Sequence, residues 1–204
     1  MNITPPTFCC LDMDGVLVDF QGAAFAAHGS DNLFLRRPLG EIAGVWEIAD
    51  ILGISAEEFW APMASEEFWA SLRPTNDWEE ILSLAEGACG ADNTFLLTCP
   101  AISPGSLSGK MRWIDEYLPE YRRRYIMAPD KRPCAKGNLL IDDNERNVSA
   151  FIESGGGAIL VPRPWNRHHD VASTGNTVDY VARCLEDISR QMGGESWNTT
   201  LPMA

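Results

Sequence analysis

The chain has 204 residues, of which 45% are hydrophobic and 22% charged, and this is ordinary for a globular protein with a sizeable core. Sixteen basic against 29 acidic residues give a formal net charge of −13, which disfavours duplex nucleic acid as a partner. The six cysteines form no Cys-x-x-Cys pair, so they indicate neither a disulfide framework nor a zinc site. The sequence has no secretory signal and no apolar run of about 18 residues. We therefore expect a cytoplasmic protein without a membrane span.

The first predicted element is a short buried strand that ends at two carboxylates. Residues 8–11 are apolar, Asp12 and Asp14 follow two positions apart, and Gly15 marks a turn. Because residues i and i+2 of an extended chain point the same way, both carboxylates should emerge together at the carboxyl end of the strand. Two close carboxylates raise each other's pKa unless a cation neutralises them, and Asp is a known covalent nucleophile toward phosphoryl groups.

Residues 20–74 contain helical patterns and many aromatic side chains, but little that indicates a strand. The capping-box sequence at 55–58 predicts the start of one helix. We predict that this segment is a small helical cap, inserted after the first strand. The remaining residues, 1–19 and 75–204, are then the core.

From Thr75 onward, predicted helices and strands alternate, which is typical of a parallel sheet covered by helices on both faces. Residues 76–79 offer an N-cap and a capping box for a helix that ends at Gly90. Further helices are predicted near 108–118, 145–154 and 177–191, and strands at 94–98, 125–127, 139–141 and 158–161. The predicted fold class is α/β, a Rossmann-like three-layer core with a parallel sheet. The tail, 193–204, is predicted to be loose.

Polar residues also follow the other predicted strands. Asp142 and Asp143 come directly after the fourth strand, and Thr98 ends the second. Four carboxylates at two strand ends are costly to assemble without a cation, and hard oxygen ligands favour Mg²⁺. Lys110 and Lys131 are candidate cations near the same edge, although either could equally be a surface lysine.

These segments resemble, in order, the four motifs of the haloacid dehalogenase superfamily. The sequence Asp-Met-Asp-Gly-Val-Leu-Val-Asp at 12–19 resembles motif I in its phosphatase form, and Leu-Leu-Thr-Cys-Pro at 96–100 resembles motif II. Lys131 best fits the lysine of motif III, and Asp142-Asp143 fits motif IV. The resemblance implies a Rossmann-like core with a helical cap between motifs I and II.

The resemblance also implies roles for individual residues. Asp12 has the place of the nucleophile that forms an aspartyl-phosphate, Asp14 that of the general acid/base, and Lys131 that of the cation that neutralises Asp12 and the phosphate. Phosphate contacts would come from Thr98, Cys99 and Lys110. The Mg²⁺ ligands would be the Asp12 carboxylate, the Asp14 backbone carbonyl and Asp143, with Asp142 behind them or acting through a water and Asn147 assisting.

Within the superfamily, the chain is most similar to the 5′(3′)-deoxyribonucleotidase family. Besides the motifs, the similarity rests on residues 67–74, 110–113 and 164–166. In that family, aromatic side chains of the cap hold the base; the candidates here are Phe20, Trp46, Phe68 and Trp69. Cys99 stands where related nucleotidases commonly have Ser, and a thiol is the weaker hydrogen-bond donor.

The resemblance implies a Mg²⁺-dependent 5′-nucleotidase that hydrolyses (deoxy)nucleoside monophosphates. Two alternatives remain open: a phosphatase of another small phosphomonoester, of the sugar phosphate or phosphoglycolate type, and a non-catalytic binding module with the same fold. Transfer of the phosphoryl group to a hydroxyl other than that of water is a further variant. The expected partner is a small phosphorylated substrate, and a homodimer is left open.

Overall fold

The computed structural model describes residues 6–36 and 40–192. The strands are β1 (Cys9–Leu11), β2 (Thr94–Thr98), β3 (Tyr125–Met127), β4 (Leu139–Asp142) and β5 (Gly157–Leu160). The helices before β2 are α1 (Phe20–Ala27), α2 (Leu33–Arg36), α3 (Ile48–Leu52), α4 (Ala56–Trp60), α5 (Glu66–Ala70) and α6 (Trp78–Cys89). Those after it are α7 (Pro104–Tyr117), α8 (Glu145–Glu153), α9 (His169–Ser173) and α10 (Thr177–Met192).

The five strands form one parallel sheet in the order β3-β2-β1-β4-β5. Strand β1 lies at the centre, where Leu11 pairs with Leu96 of β2 and with Ile141 of β4. Because all strands are parallel, the residues that follow β1, β2 and β4 meet at one edge of the sheet. The predicted α/β fold class is confirmed.

Strands β1, β4 and β5 are buried on both faces, as their continuous apolar sequences require, whereas the edge strand β3 is partly exposed. One face packs against α6, α7 and α10 and contains Cys9, Leu11, Leu96, Leu139, Ile141 and Ile159. The other face packs against α8 and contains Cys10, Leu97, Leu140, Ala158 and Leu160. Successive residues of β1 and β4 therefore belong to opposite clusters, so the backbone of the site is fixed from both sides.

Two details at helix starts differ from the sequence prediction. Helix α7 begins at Pro104, whereas the sequence predicted its start near residue 108. Pro104 occupies the first helical turn, where its missing N–H is no loss. Asp77 stands at the N-cap position of α6 but its side chain caps no backbone N–H, because the carboxylate is paired with Arg163 instead.

The chain between β1 and α6 contains α1–α5, which are all short. The capping box predicted at 55–58 is confirmed: the Ser55 N–H donates to Glu58 Oε2 (2.9 Å) and the Glu58 N–H donates to Ser55 Oγ (3.2 Å). The two chain crossings that lead into and out of this segment pair with each other. The Asp19 N–H donates to the Arg73 carbonyl (2.8 Å), and the Thr75 N–H donates to the Leu17 carbonyl (3.0 Å).

Helix α5 packs unusually closely on α7 through two glycines. A Cβ at Gly105 would lie 2.5 Å from the Ala64 carbonyl oxygen, and one at Gly109 would lie 2.5 Å from Cβ of Trp69. Any larger residue at either position would force the two helices apart. This contact explains why α7 keeps two helix-weakening glycines in its first two turns.

None of the helices within the described residues has the length and hydropathy that a membrane-spanning helix needs. The tail predicted to be loose, 193–204, lies outside the described residues.

Candidate active site

The centre of the site is an ion-pair cluster at the carboxyl ends of β1 and β4. Asp12 directly follows β1 and is 6% exposed, and its Oδ1 lies 2.8 Å from Nζ of the buried Lys131. The same ammonium group donates to Oδ2 of Asp142, the last residue of β4, over 2.6 Å. Lys131 therefore holds two carboxylates from neighbouring strands together. Both of them raise the pKa of Lys131, although burial alone lowers it.

Asp142 is fully buried, and its two oxygens have protein partners. Its Oδ1 accepts from the backbone N–H of Asn144 (2.7 Å), and its Oδ2 accepts from the side-chain amide of Asn147 (3.0 Å) as well as from Lys131. Burial raises the pKa of Asp142 to about 6, against the opposing charge of Lys131. Asp142 is thus positioned behind Asp12 rather than at the cavity surface.

Asp143 is held by two residues that follow β5. The indole N–H of Trp165 donates to its Oδ2 (2.6 Å), and the side-chain amide of Asn166 donates to its backbone carbonyl (2.9 Å). Burial, followed by the charges of Asp142 and Asp12, raises the pKa of Asp143 well above its usual range. A cation beside this carboxylate would offset both effects.

Asp14 forms a second ion pair, with Lys110 of α7. The Lys110 ammonium group contacts Asp14 Oδ2 and donates to Oγ1 of Thr98, the last residue of β2, over 2.8 Å. The same ammonium lies 5.1 Å from the centre of the Trp69 ring. Burial raises the pKa of Asp14 above its ordinary value, although Lys110 opposes the shift.

Gly15 makes the close packing of this edge possible. Its φ is +76°, and a Cβ at this position would collide with the Asp143 carboxylate. The turn after Asp14 can therefore lie against Asp143 only because residue 15 has no side chain.

Asp12, Asp142 and Asp143 form a candidate metal centre. Each offers a carboxylate oxygen, and the three atoms lie within 4.8 Å of one another. Including Asp14, four carboxylates meet two lysines at this edge, which leaves an excess of negative charge. An oxygen-only donor set with excess negative charge suits a hard divalent cation.

A cavity of about 820 Å³ opens above these carboxylates. Its floor includes Asp12, Asp14 and Asp143, and one wall is the loop 99–103 after β2. Most of its other lining comes from the chain between β1 and α6, which contributes five aromatic side chains besides aliphatic and polar ones: Phe20, Trp46, Phe59, Trp60 and Trp69. Its volume is within the range of pockets that enclose a small organic ligand.

The structure brings three of the four predicted base-contact aromatics to this cavity. Phe20, Trp46 and Trp69 line it, whereas Phe68 does not. The Phe68 ring packs edge-on against Phe20 (6.4 Å between centroids) and Trp69 (5.4 Å) instead. It can thus support the two rings that line the cavity but is not itself placed to stack on a ligand there.

The predicted phosphate-contact residues are placed differently from one another. Cys99 is exposed and lines the cavity, and its Sγ is 3.8 Å from the Pro129 carbonyl. Thr98, Lys110 and Lys131 are buried behind the carboxylates and are not among the lining residues. Asn147 lines the cavity and contacts Asp142, as described above.

Sequence reasoning missed several residues that shape the site. Trp60 lines the cavity, is 45% exposed and stacks on Phe20 with 6.0 Å between ring centroids. Arg163 is buried and donates to the Gly15 carbonyl (2.6 Å), directly beside Asp14. Trp165 lies in a segment whose family similarity was visible, but nothing in the sequence indicated its bond to Asp143.

The model of the family described as "5′ nucleotidase, deoxy (Pyrimidine), cytosolic type C protein" matches residues 7–183. The chain belongs to this family. The protein is accordingly a phosphatase of the 5′-nucleotidase type, and its predicted similarity to the deoxyribonucleotidases is confirmed. The matched range includes every residue of the cluster described above.

One of the similar solved structures shares the fold of this nucleotidase-family protein, at low sequence identity. A phosphonoacetaldehyde hydrolase-like protein from Oleispira antarctica is 12% identical, with a TM-score of 0.53 and coverage of 95% of this chain and 96% of that one. L-2-haloacid dehalogenase from Xanthobacter autotrophicus is 14% identical, with a TM-score of 0.48 and coverage of 93% and 99%. A magnesium complex of a HAD-family enzyme from Bacteroides thetaiotaomicron is 16% identical, with a TM-score of 0.39 and coverage of 79% and 95%. A comparison with curated proteins found no match.

Proposed function

We propose that this protein is a Mg²⁺-dependent 5′-nucleotidase that hydrolyses (deoxy)nucleoside monophosphates through an aspartyl-phosphate. The observation that carries the proposal is the cluster of Asp12, Asp14 and Asp143 on the floor of a cavity whose walls include five aromatic side chains. The floor suits a phosphate with its cation, and the walls suit a flat, apolar ring system. In this proposal residues 20–74 are the cap, and 1–19 with 75–204 are the core.

Asp12 is the proposed nucleophile. Its carboxylate borders the cavity, and its contact with Lys131 orients it. Attack of a carboxylate oxygen on phosphorus forms the aspartyl-phosphate, and the bond from phosphorus to the nucleoside oxygen breaks. Lys131 then offsets negative charge on the phosphoryl group as well as on Asp12.

Asp14 is the proposed general acid and base. Its raised pKa favours the protonated form, and its Oδ1 accepts no hydrogen bond from the described residues. The protonated carboxyl group gives its proton to the departing nucleoside oxygen, and the carboxylate then takes a proton from the water that hydrolyses the aspartyl-phosphate. The Lys110 contact at Oδ2 fixes the orientation of this group.

The three-carboxylate cluster fits a Mg²⁺ ion. Asp12 and Asp143 would hold it together with the Asp14 backbone carbonyl, while Asp142, whose oxygens are occupied by protein donors, would act from behind. The bound ion would neutralise the excess negative charge and polarise the phosphoryl oxygens. The Trp165 and Asn166 contacts keep Asp143 in place for this role.

The proposal is tested by phosphate release from deoxy- and ribonucleoside monophosphates, ribose 5-phosphate, phosphoglycolate and phenyl phosphate, with Mg²⁺ and with EDTA. We expect the highest kcat/KM for nucleotides and loss of activity in EDTA. If kcat/KM is highest for ribose 5-phosphate or phosphoglycolate, the proposed mechanism stands but the substrate is that phosphomonoester rather than a nucleotide. No turnover of any compound would favour the binding module.

Two variants test the metal and the nucleophile separately. D12N should abolish phosphate release, and full activity of D12N would overturn the mechanism. D143N should lose both activity and the rise in Tm that Mg²⁺ gives the wild-type protein. The matched control is D115N, which changes an exposed carboxylate of α7 and should keep both.

A further inference from the structure

Gln21 is a polar residue in a position that the fold otherwise fills with apolar side chains. It lies in the first turn of α1, and the residues three and four positions on, Ala24 and Phe25, are fully buried in the cluster with Phe34 and Phe59. Gln21 itself is only 6% exposed. At this spacing the three side chains share one helix face, where an apolar residue would be expected.

The oxygen of the Gln21 carboxamide is buried without a hydrogen-bond partner among the described residues. Its Oε1 is inaccessible to solvent and accepts no hydrogen bond from the part of the chain that the structure describes. The side chain lines the cavity above Asp12 and Asp14. A buried polar group is normally paired, since leaving it unpaired loses its bond to water without a replacement. Because the terminal torsion of a glutamine side chain is soft, a turn of the carboxamide at this cavity wall would present the unpaired oxygen to a ligand.

The buried side-chain oxygen atoms that lack a hydrogen-bond partner are concentrated at one place. Within the described residues they belong to Asp12, Asp14, Gln21 and Ser103, and all four residues line the same cavity. The two aspartates are accounted for by the phosphate chemistry, and Asp12 also has its ion pair with Lys131. Gln21 and Ser103 have no part in that chemistry, so they point to a second polar portion of the ligand.

The chemistry of the carboxamide limits what this portion can be. An amide is neutral, donates through nitrogen and accepts through oxygen. It is poorly suited to a phosphate dianion, which lysines and a cation bind better, and well suited to a neutral edge that offers a donor beside an acceptor. Trp46 and Phe59, which line the same cavity, suit the flat faces of such a group.

We propose that Gln21 is a specificity-determining residue that hydrogen-bonds a neutral polar group in the organic part of the substrate. In a nucleoside monophosphate this group is the edge of the base or a hydroxyl of the sugar. The inference rests on the proposed function, because it takes the phosphate to lie at Asp12. The first turn of α1 then serves substrate recognition as well as packing.

The test compares wild-type protein with Q21M, which keeps the length of the side chain and removes both hydrogen-bonding atoms. We expect Q21M to raise KM for nucleotides by about tenfold or more, the effect of one lost hydrogen bond in a closed site. The kcat/KM for phenyl phosphate, which has neither base nor sugar, should stay within about twofold, because the chemistry at Asp12 is unchanged. With ribose 5-phosphate, a raised KM assigns the contact to the sugar and an unchanged KM assigns it to the base.

Thermal unfolding of the ligand-free protein gives a second readout. Since Q21M removes an unpaired amide from an apolar face, its Tm should equal or exceed that of the wild-type protein. A glutamine kept for structure would give the opposite result. The matched control is I48V, which shortens another buried residue lining the cavity and should affect all substrates alike.

Two results for Q21M would overturn the role of Gln21. One is an equal loss of kcat/KM for nucleotides and for phenyl phosphate combined with a lower Tm, and the other is an unchanged kcat/KM for every substrate. Failure of the proposed function is a separate result, because the substrate preference of the wild-type protein alone reveals it. If wild-type protein prefers ribose 5-phosphate and Q21M loses that preference, the nucleotidase proposal fails and the role of Gln21 stands. If the wild-type protein prefers nucleotides and Q21M keeps that preference, only the role of Gln21 fails.

Discussion

Arg163 and Asp77 form a two-bond ion pair that connects the turn after Asp14 to the start of α6. The guanidinium donates from Nη1 to Asp77 Oδ2 (2.7 Å) and from Nη2 to Asp77 Oδ1 (2.8 Å). The same group donates from Nε to the Gly15 carbonyl (2.6 Å) and from Nη2 to the Val16 carbonyl (3.1 Å). A single buried side chain thereby fixes the backbone next to the proposed general acid.

Replacing Asp77 with alanine should destabilise the protein by about 3 kcal/mol, because it leaves the Arg163 charge without its carboxylate in a mostly buried position. We also expect a lower kcat, since the Gly15 turn loses its fixed support. Urea unfolding and steady-state kinetics measure both effects. The control is D115A, which breaks the exposed pair with Arg122 and should cost at most about 1 kcal/mol. An equal cost for the two variants would contradict the assigned role.

D14N should lower kcat for nucleotides by a factor of about 10²–10⁴, the range typical of losing a general acid. Because Asp14 also activates the hydrolytic water for both substrates, the contrast is expected in kcat/KM, which covers the steps up to departure of the leaving group. The reduction in kcat/KM should be much smaller for p-nitrophenyl phosphate, whose leaving group departs without a proton. Steady-state rates on the two substrates, measured with one enzyme preparation, give the ratio. An equal reduction in kcat/KM for both substrates would show that Asp14 acts mainly through binding or folding.

Gly109→Ala should displace α5 from α7 and disturb Trp69, since the added methyl group would lie 2.5 Å from Cβ of Trp69. We expect a destabilisation of about 1–3 kcal/mol, typical of overpacking, and reduced activity. Gly87→Ala is the control within a helix, because nothing described lies within 4 Å of the added Cβ. It should instead stabilise the protein by about 0.5–1 kcal/mol, and chemical unfolding of both variants measures the contrast.

His168 should contribute a loss of stability as the pH drops below 6.5. Burial, followed by the charge of Arg167, lowers the pKa of His168 from its ordinary 6.5. Between the two pKa values the unfolded chain binds more protons than the folded protein, so acid favours unfolding. When the pH is lowered from 7.5 to 5.5, the free energy of unfolding should therefore fall more for the wild-type protein than for H168Q. Urea unfolding at both pH values measures it, and a constant difference would contradict the shift.

The sequence predicted the sheet and the meeting of the carboxylates at its edge, because both depend on local patterns. Apolar runs that end in polar residues identified β1, β2 and β4, and parallel strands necessarily bring their carboxyl ends together. Asp12, Asp142 and Asp143 therefore meet as expected. The late start predicted for α7 has a physical reason as well: Gly105 and Gly109 weaken a helix locally, and only the contact with α5 shows why they are tolerated.

Contacts between distant segments could not be predicted in the same way. Arg163 is 86 residues from Asp77, and no local pattern connects them. The orientation of the aromatic residues is similarly set by the packing of short helices, so Phe68 and Trp60 could not be told apart as the supporting and the lining residue. Gln21 is visible as an exception only once its helix face is known to be buried.

The paired chain crossings at Val18 and Pro74 have a consequence for how this family can diversify. Since the segment between them leaves and rejoins the core at one place, changes in its length or sequence need not alter the pairing of β1 with β2 and β4. Mutations can then remodel the walls of the cavity while the carboxylate cluster below them stays the same. In this architecture, substrate range and reaction type can therefore change independently of each other by mutation.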